Sequence, residues 1–250
     1  MYKPRIAGIT RVRNESLILK ETLDHFSIYC DAGIYVYDDC STDNTVDICK
    51  AHPNVKGIVS SGVWDTDREK AEWQNRQAVF DFAKKKDPNI DWFIYFDADE
   101  RMYCELDTKV MENCDAIAMR LFDFYITEED KDRKYNDNLP LLRQKCGPEF
   151  RQIIMMFKNL PGVKWCKPDQ REPLLPFGAQ IAVNGFVKHY GKCISIEHWE
   201  DTCKYYSENF PKYAEKWEAR KGKAVHEFSD FRHNLVTWQE LETKAIPMPK

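Results

Sequence analysis

WFIYFDADER, residues 92–101, sets an unbroken aromatic and aliphatic run directly against three acids, Asp97, Asp99 and Glu100. Five consecutive apolar residues too few for a helix read as a strand buried on both faces, and the acids stand where that strand ends. Asp97 and Asp99 are two residues apart, so in extended chain their carboxylates project in one direction. Both are hard oxygen donors suited to Mg2+ or Mn2+, and a divalent ion would offset the charge of a diphosphate. An acidic strand cap is the competing reading of Asp-x-Asp; the position after the aromatic strand favours metal. Glu100 reads as a brace for the turn rather than as a reacting group.

Upstream, the same grammar repeats. Arg5–Thr10 reads as a first strand, followed by the polar turn Arg11-Val12-Arg13-Asn14-Glu15 and a helix carrying Leu17, Leu19, Leu23 and Phe26. Residues Gly33–Tyr37 form the next expected strand, which runs straight into Asp38-Asp39-Cys40-Ser41-Thr42-Asp43. That polar turn can cap a helix over Thr45–Ala51, and Val55–Ser60 supplies a third strand. Strand, helix, strand, helix, strand predicts an α/β fold with a parallel sheet, whose ligands bind beyond the carboxyl ends of the strands. Asp39 can then meet a nucleobase or ribose, with Asp38 and Asp43 bracing the loop. A plain helix-entry turn explains the same Ser, Thr and Asp residues, but not the second acidic turn after a later strand.

Downstream, a helix is expected over Arg68–Lys86 and a strand over Ala116–Phe124. Polar loop or short helix follows over 127–138, and an antiparallel addition to the sheet over Gln152–Phe157. Cys166–Gly178, with Pro168, Pro173 and Pro176, reads as an acceptor-side loop. VKHYGKCISIEHWE, residues 187–200, brings His189 and His198 before a helical segment reaching about Arg220. His189 is the candidate to complete a metal shell, against a structural histidine; His198 reads as a packing residue.

Composition narrows the classes. Among 250 residues, 37 Lys and Arg against 41 Asp and Glu give a net charge of −4, which argues against a generally nucleic-acid-binding surface. No apolar stretch is long enough for a membrane span or a leader, so a soluble, cytoplasmic or cytoplasm-facing setting is expected, without a transmembrane partner. Nine dispersed cysteines without a Cys-x-x-Cys pair read as reduced structural thiols. The chain lacks the phosphate-loop, nucleophile-elbow and Gly-x-Gly-x-x-Gly patterns, which lowers the case for an ATPase, an α/β-hydrolase or a dinucleotide oxidoreductase.

Taken in order, IAGITRVRNES (6–16), YVYDDCSTDNT (35–45), WFIYFDADER (92–101) and VKHYGKCISIE (187–197) resemble nucleotide-sugar glycosyltransferases of the GT-A fold, in the broad family-two-like group. The resemblance covers most of the first 200 residues. It implies a GT-A-like nucleotide-binding sheet flanked by helices, with a mixed acceptor-side region. The catalytic domain would span 1–220, donor side mainly 1–125 and acceptor side mainly 126–220, with 221–250 as a C-terminal extension. The implied activity is a metal-dependent, inverting transfer from a nucleoside diphosphate sugar to a hydroxyl of a glycan, lipid or small-molecule acceptor. Alternatives are a nucleotidyltransferase or nucleotide-sugar pyrophosphorylase, and a noncatalytic nucleotide-sugar-binding module.

Carried over residue by residue, the resemblance gives Asp39 to nucleotide recognition, and Asp97 and Asp99, with His189, to the Mn2+ or Mg2+ and diphosphate. Arg11, Asn14 and Glu15 frame the nucleotide. Arg76 approaches a donor phosphate, although the family's usual surroundings for it are altered here, and Asp65 can close the nucleobase side. Asp123 and Glu149 are the two candidates for the base that takes the acceptor's proton, and the resemblance prefers Glu149.

Overall fold

The computed structural model describes residues 3–135, 138–168 and 170–248. The expected alternation is present at the start: β1 (Ile6–Val12), α1 (Leu19–Ser27), β2 (Ile34–Asp38), α2 (Thr45–Ala51), β3 (Val55–Val59), α3 (Arg68–Lys86) and β4 (Trp92–Tyr95). β5 (Glu100–Tyr103), α4 (Thr108–Glu112), β6 (Ala116–Tyr125), α5 (Leu139–Leu142), β7 (Lys145–Lys158) and β8 (Ile181–His189) follow. The chain continues through α6 (Ile196–Asn209), α7 (Ala214–Glu218), β9 (Val236–Thr237), α8 (Leu241–Lys244) and β10 (Ile246–Pro247).

Two compact units result, one of residues 1–119 and 153–185, the other of residues 120–152 and 186–250. In the first unit β1 pairs in parallel with β2 and with β4, and β2 pairs in parallel with β3. The C-terminal half of β7 is the expected antiparallel addition, with Phe93 opposite Phe157. β2 and β4 are buried along their whole length. That burial explains why their sequences are apolar without alternation: both faces are covered. Phe80 of α3 meets Phe93 edge-on at 4.9 Å and Trp165 at 5.7 Å, in a core that also holds Ile9, Tyr35, Val79 and Phe157.

α3 positions the site. Asp67 caps its first turn by accepting from the Lys70 amide at 3.2 Å, and three lysines at 84–86 complement the dipole at the other end. Its buried residues, Arg68, Ala71, Asn75, Arg76, Val79, Phe80 and Ala83, recur at helical spacing on one stripe. The stripe changes chemistry along its length. From Val79 to Ala83 it is apolar and faces the core, whereas at Arg68 and Arg76 it is cationic and faces acids at the ends of the strands.

The turns after β1 and β2 carry Asn14 at φ 54° and Cys40 at φ 59°. The left-handed region suits asparagine and is unusual for cysteine, so the second turn holds its shape against local preference. Gly33, at φ 89°, enters β2 beside Lys56, where a Cβ would stand 2.2 Å from that side chain's Cγ.

In the second unit the N-terminal half of β7 pairs with β9, antiparallel, and with β10, parallel. Aromatic rings fill it: Tyr206 stacks on Trp217 at 4.7 Å, Trp199 meets Trp217 at 6.1 Å, and Trp238 lies 4.4 Å from Phe186. The nine cysteines are free thiols, as the spacing predicts. Among the described residues, no helix is long and apolar enough to cross a membrane.

Candidate active site

The acids at 97–100 form a pinned reverse turn between β4 and β5. The Glu100 amide donates to the Asp97 carbonyl at 3.1 Å, and the Asp97 amide donates back to Glu100 Oε2 at 3.1 Å. The Ala98 carbonyl accepts from the hydroxyl of Thr22 in α1 and from Arg101 Nη1 at 3.0 Å. Glu100 is 1% exposed, so the sequence reading of it as a brace agrees with its bonds. With the turn's backbone fastened on both sides, the Asp97 and Asp99 carboxyls are left as its half-buried chemistry.

A relay of cations reaches Asp97 from α3. Arg76 Nε donates to the Tyr95 hydroxyl at 2.8 Å, and that hydroxyl donates to Asp97 Oδ1 at 2.8 Å. Arg76 also leans on Glu72 Oε2 at 3.4 Å, and Glu72 Oε1 accepts from Arg11 Nη2 at 2.9 Å. Burial would raise the Asp97 carboxyl, but the guanidiniums of Arg171 and Arg76 outweigh it and hold Asp97 below the usual carboxylate range.

Asp39, 2% exposed, accepts from Arg11 Nη1 at 3.0 Å and from Arg68 Nη2. Arg13 Nη1 donates to the carbonyls of Asp39 and Cys40 at 2.7 and 2.9 Å, which holds the left-handed turn. Arg13 and Arg68 lie over the Trp64 ring at 3.5 and 3.8 Å from its centroid. Asn14 Oδ1 accepts from the Thr42 amide at 2.7 Å and stitches the two strand-end turns together. Asp65 is exposed and accepts from the Asp67 amide at 2.9 Å, as a turn brace does.

Glu15 is the electrostatic outlier. Burial, with the carboxylates of Asp99 and Asp97 nearby, pushes its carboxyl up to about 8 against the opposing pull of Arg11. The negative charges of Asp97 and Asp99 thus act on Glu15 from the turn after β4. Carboxylate oxygens are hard donors of the chemical kind that ligates Mg2+ or Mn2+. Among the described residues, no group of three or more His, Cys, Asp or Glu side chains stands in metal-ligating arrangement.

The sequence profile of glycosyl transferase family 2 matches residues 9–157, more than half of the chain and inclusive of both acidic turns. The chain belongs to glycosyl transferase family 2. Its mixed α/β fold, a sheet flanked by helices, is GT-A-like, as the ordered motifs imply. S. aureus TarS 1–349 is 11% identical, with a TM-score of 0.39 over 85% of this chain and 68% of that one. HddC from Yersinia pseudotuberculosis is 12% identical, with a TM-score of 0.37 over 80% of this chain and 99% of that one. An uncharacterized protein of Mycobacterium tuberculosis is 44% identical over 55 residues, which span 22% of this chain and 13% of that protein's length.

In this family 2 chain the remaining sequence candidates lie in the second unit. His189 Nδ1 donates to Asp123 Oδ1 at 2.5 Å, which fixes the orientation of the imidazole. Asp123 Oδ2 accepts from Lys192 Nζ at 2.7 Å, and Lys192 also donates to Asp230 at 2.9 Å. Burial would raise Asp123, but Lys192, His189 and Arg151 hold it well below the carboxylate range. Glu149 is 2% exposed, and His233 Nδ1 donates to its Oε2 at 3.3 Å.

Sequence reasoning passed over Glu72, Arg68 and Arg171. Arg68 and Glu72 follow from the α3 stripe once Arg76 is placed on it, because 68, 72 and 76 are one helical face. Arg171 had no such signal. It stands in the proline-rich loop, yet its Nη2 donates to Glu100 and its Nε lies 3.4 Å from Asp97 Oδ2.

Proposed function

We propose that this chain transfers a sugar from a nucleoside diphosphate sugar to an acceptor hydroxyl with inversion at the anomeric carbon. The observation that carries the reading is the meeting, at the carboxyl ends of parallel strands, of Asp39, Glu15, Asp97 and Asp99 with Arg11 and Arg76. Asp39, fixed by Arg11 and Arg68, takes the nucleoside side, with Asn14 and Asp65 shaping the adjoining turns. Asp97 and Asp99 would hold Mn2+ or Mg2+, with His189 as a further ligand; the ion, when bound, offsets the charge of the departing diphosphate.

Arg76 keeps Asp97 ionised through Tyr95, so the carboxylate is ready to ligate at neutral pH. Of the two acids considered as base, Asp123 is the weaker, because its ion pairs with Lys192 and His189 reduce its affinity for a proton. Glu149 is the assigned base. It would take the acceptor's proton as the hydroxyl oxygen attacks the anomeric carbon and the diphosphate oxygen keeps the electron pair of the breaking bond. The catalytic domain is assigned to 1–220, and glycans, lipids and small hydroxylated molecules are the acceptor classes.

Incubation with a panel of nucleoside diphosphate sugars and Mn2+ tests the reading. Release of nucleoside diphosphate with free or transferred sugar supports it, and an α product from an α donor would reject inversion. Consumption of added pyrophosphate to give a nucleoside triphosphate and a sugar 1-phosphate would assign a nucleotidyltransferase instead. Donor binding without turnover would make the chain a binding module.

A further inference from the structure

The proline-rich loop delivers a cation to the acid turn in an unusual state of hydrogen bonding. Arg171 is anchored at both ends. Its carbonyl accepts from Trp165 Nε1 at 2.8 Å, and its Nη2 donates to Glu100, a carboxylate that cannot swing away because it also holds the Asp97 amide. The guanidinium carbon stands 5.3 Å from the centroid of the Tyr95 ring. Nε is 3.4 Å from Asp97 Oδ2, an ion pair without hydrogen-bond alignment, and both Nε and Nη1 are buried without a hydrogen-bond partner.

An arginine serving only to neutralise Glu100 has no use for two further buried donors, and leaving such donors unpaired is unfavourable. A planar guanidinium with N–H groups to spare, held by one carboxylate, matches the oxygens of a phosphate. We infer that Arg171 is a binding residue for the diphosphate of the donor, held in place by Glu100 and presenting Nε and Nη1 to phosphate oxygens beside Asp97. The inference rests on the transferase reading and names a diphosphate contact within it. In the ligand-free protein the same side chain offsets Asp97.

Titration calorimetry with inorganic pyrophosphate, with EDTA and again with Mn2+, tests this on the wild type, Arg171→Met and Arg171→Lys, each checked by its melting curve. Arg171→Met is expected to weaken pyrophosphate binding at least tenfold. Arg171→Lys keeps the charge near Glu100 and is expected to weaken it severalfold, which decides the matter should the methionine variant not fold. A purely structural arginine would lower the melting temperature and leave the affinity unchanged; affinities within twofold of the wild type in the folded variants overturn the inference alone. A wild type that binds neither pyrophosphate nor any nucleoside diphosphate overturns the transferase reading with it.

Discussion

Asp97 in the first unit and Asp123 in the second are both acids beside cations, and both are held below the usual carboxylate range. Their surroundings differ in how the charge closes. Asp123 gives one oxygen to His189 and the other to Lys192, whose second carboxylate, Asp230, is in turn held by Arg220 at 2.7 Å. Around Asp97, Arg76 reaches the carboxylate through the Tyr95 hydroxyl and Arg171 stands beside it, with Arg171 Nε and Nη1 buried without a hydrogen-bond partner. In the second unit each Asp123 oxygen thus has a basic partner. Buried guanidinium donors without a hydrogen-bond partner are unfavourable, and they set the acid turn of the first unit apart from the paired acid of the second.

The sharpest way to break this contrast is to remove one acid from each side. Asp123→Ala leaves Lys192 buried with one partner fewer, and urea unfolding is expected to show a loss of about 3 kcal/mol at neutral pH. Because the folded Asp123 carboxyl is depressed, its contribution is complete above the unfolded value near 4 and fades as pH falls toward the folded value. Wild type and variant should therefore converge in stability under acid, and a gap that persists at the lowest pH would refute the assignment. Asp99→Ala should do the opposite, leaving the fold intact while lowering metal-dependent turnover about a hundredfold, near 2.7 kcal/mol in activation free energy. Unaltered metal dependence in the folded variant would remove Asp99 from the site.

Smaller effects sharpen the same point. Glu15→Gln removes a buried carboxyl from the charges of Asp97 and Asp99, so the ligand-free protein is expected to gain about 1 kcal/mol at pH 8. A loss of stability there would mean that Glu15 is paired rather than crowded. Cys40→Gly exchanges the strain of a left-handed cysteine for the greater chain entropy of glycine, for a net gain of about 0.5 kcal/mol by thermal melts.

Much of the first unit was readable because its signals are local. The helix Arg68–Lys86 has the bounds that its Asp67 cap, its terminal lysines and the following proline dictate, and Thr45–Ala51 has the bounds expected from the sequence without a side-chain cap on its first turn. β4 and its acidic turn follow from one aromatic run. Within the candidate site, what was legible was the placing of acids just beyond strand ends, at Asp39, Asp97 and Asp99. It was illegible where partners are joined only by folding: Arg171 reaches Glu100 across 71 residues of sequence, with no spacing to announce it. The long β7 was seen only in its apolar second half. Its beginning, Lys145 to Glu149, shows no alternation that a sequence pattern could report.

The two-part stripe of α3 makes a single helix answer to two selective regimes. Near Ala83 and Phe80, any side chain of similar volume and oiliness should persist in descendants of this sequence, because only packing is judged there. Near Arg76 and Arg68, shape-preserving exchanges such as Arg to Met or Lys should disappear, because what is judged is where a charge and its N–H groups point. Scanned residue by residue, the helix would show tolerance rising toward the lysines, and the position where it begins to rise would mark, without any ligand, how far the site extends into the fold.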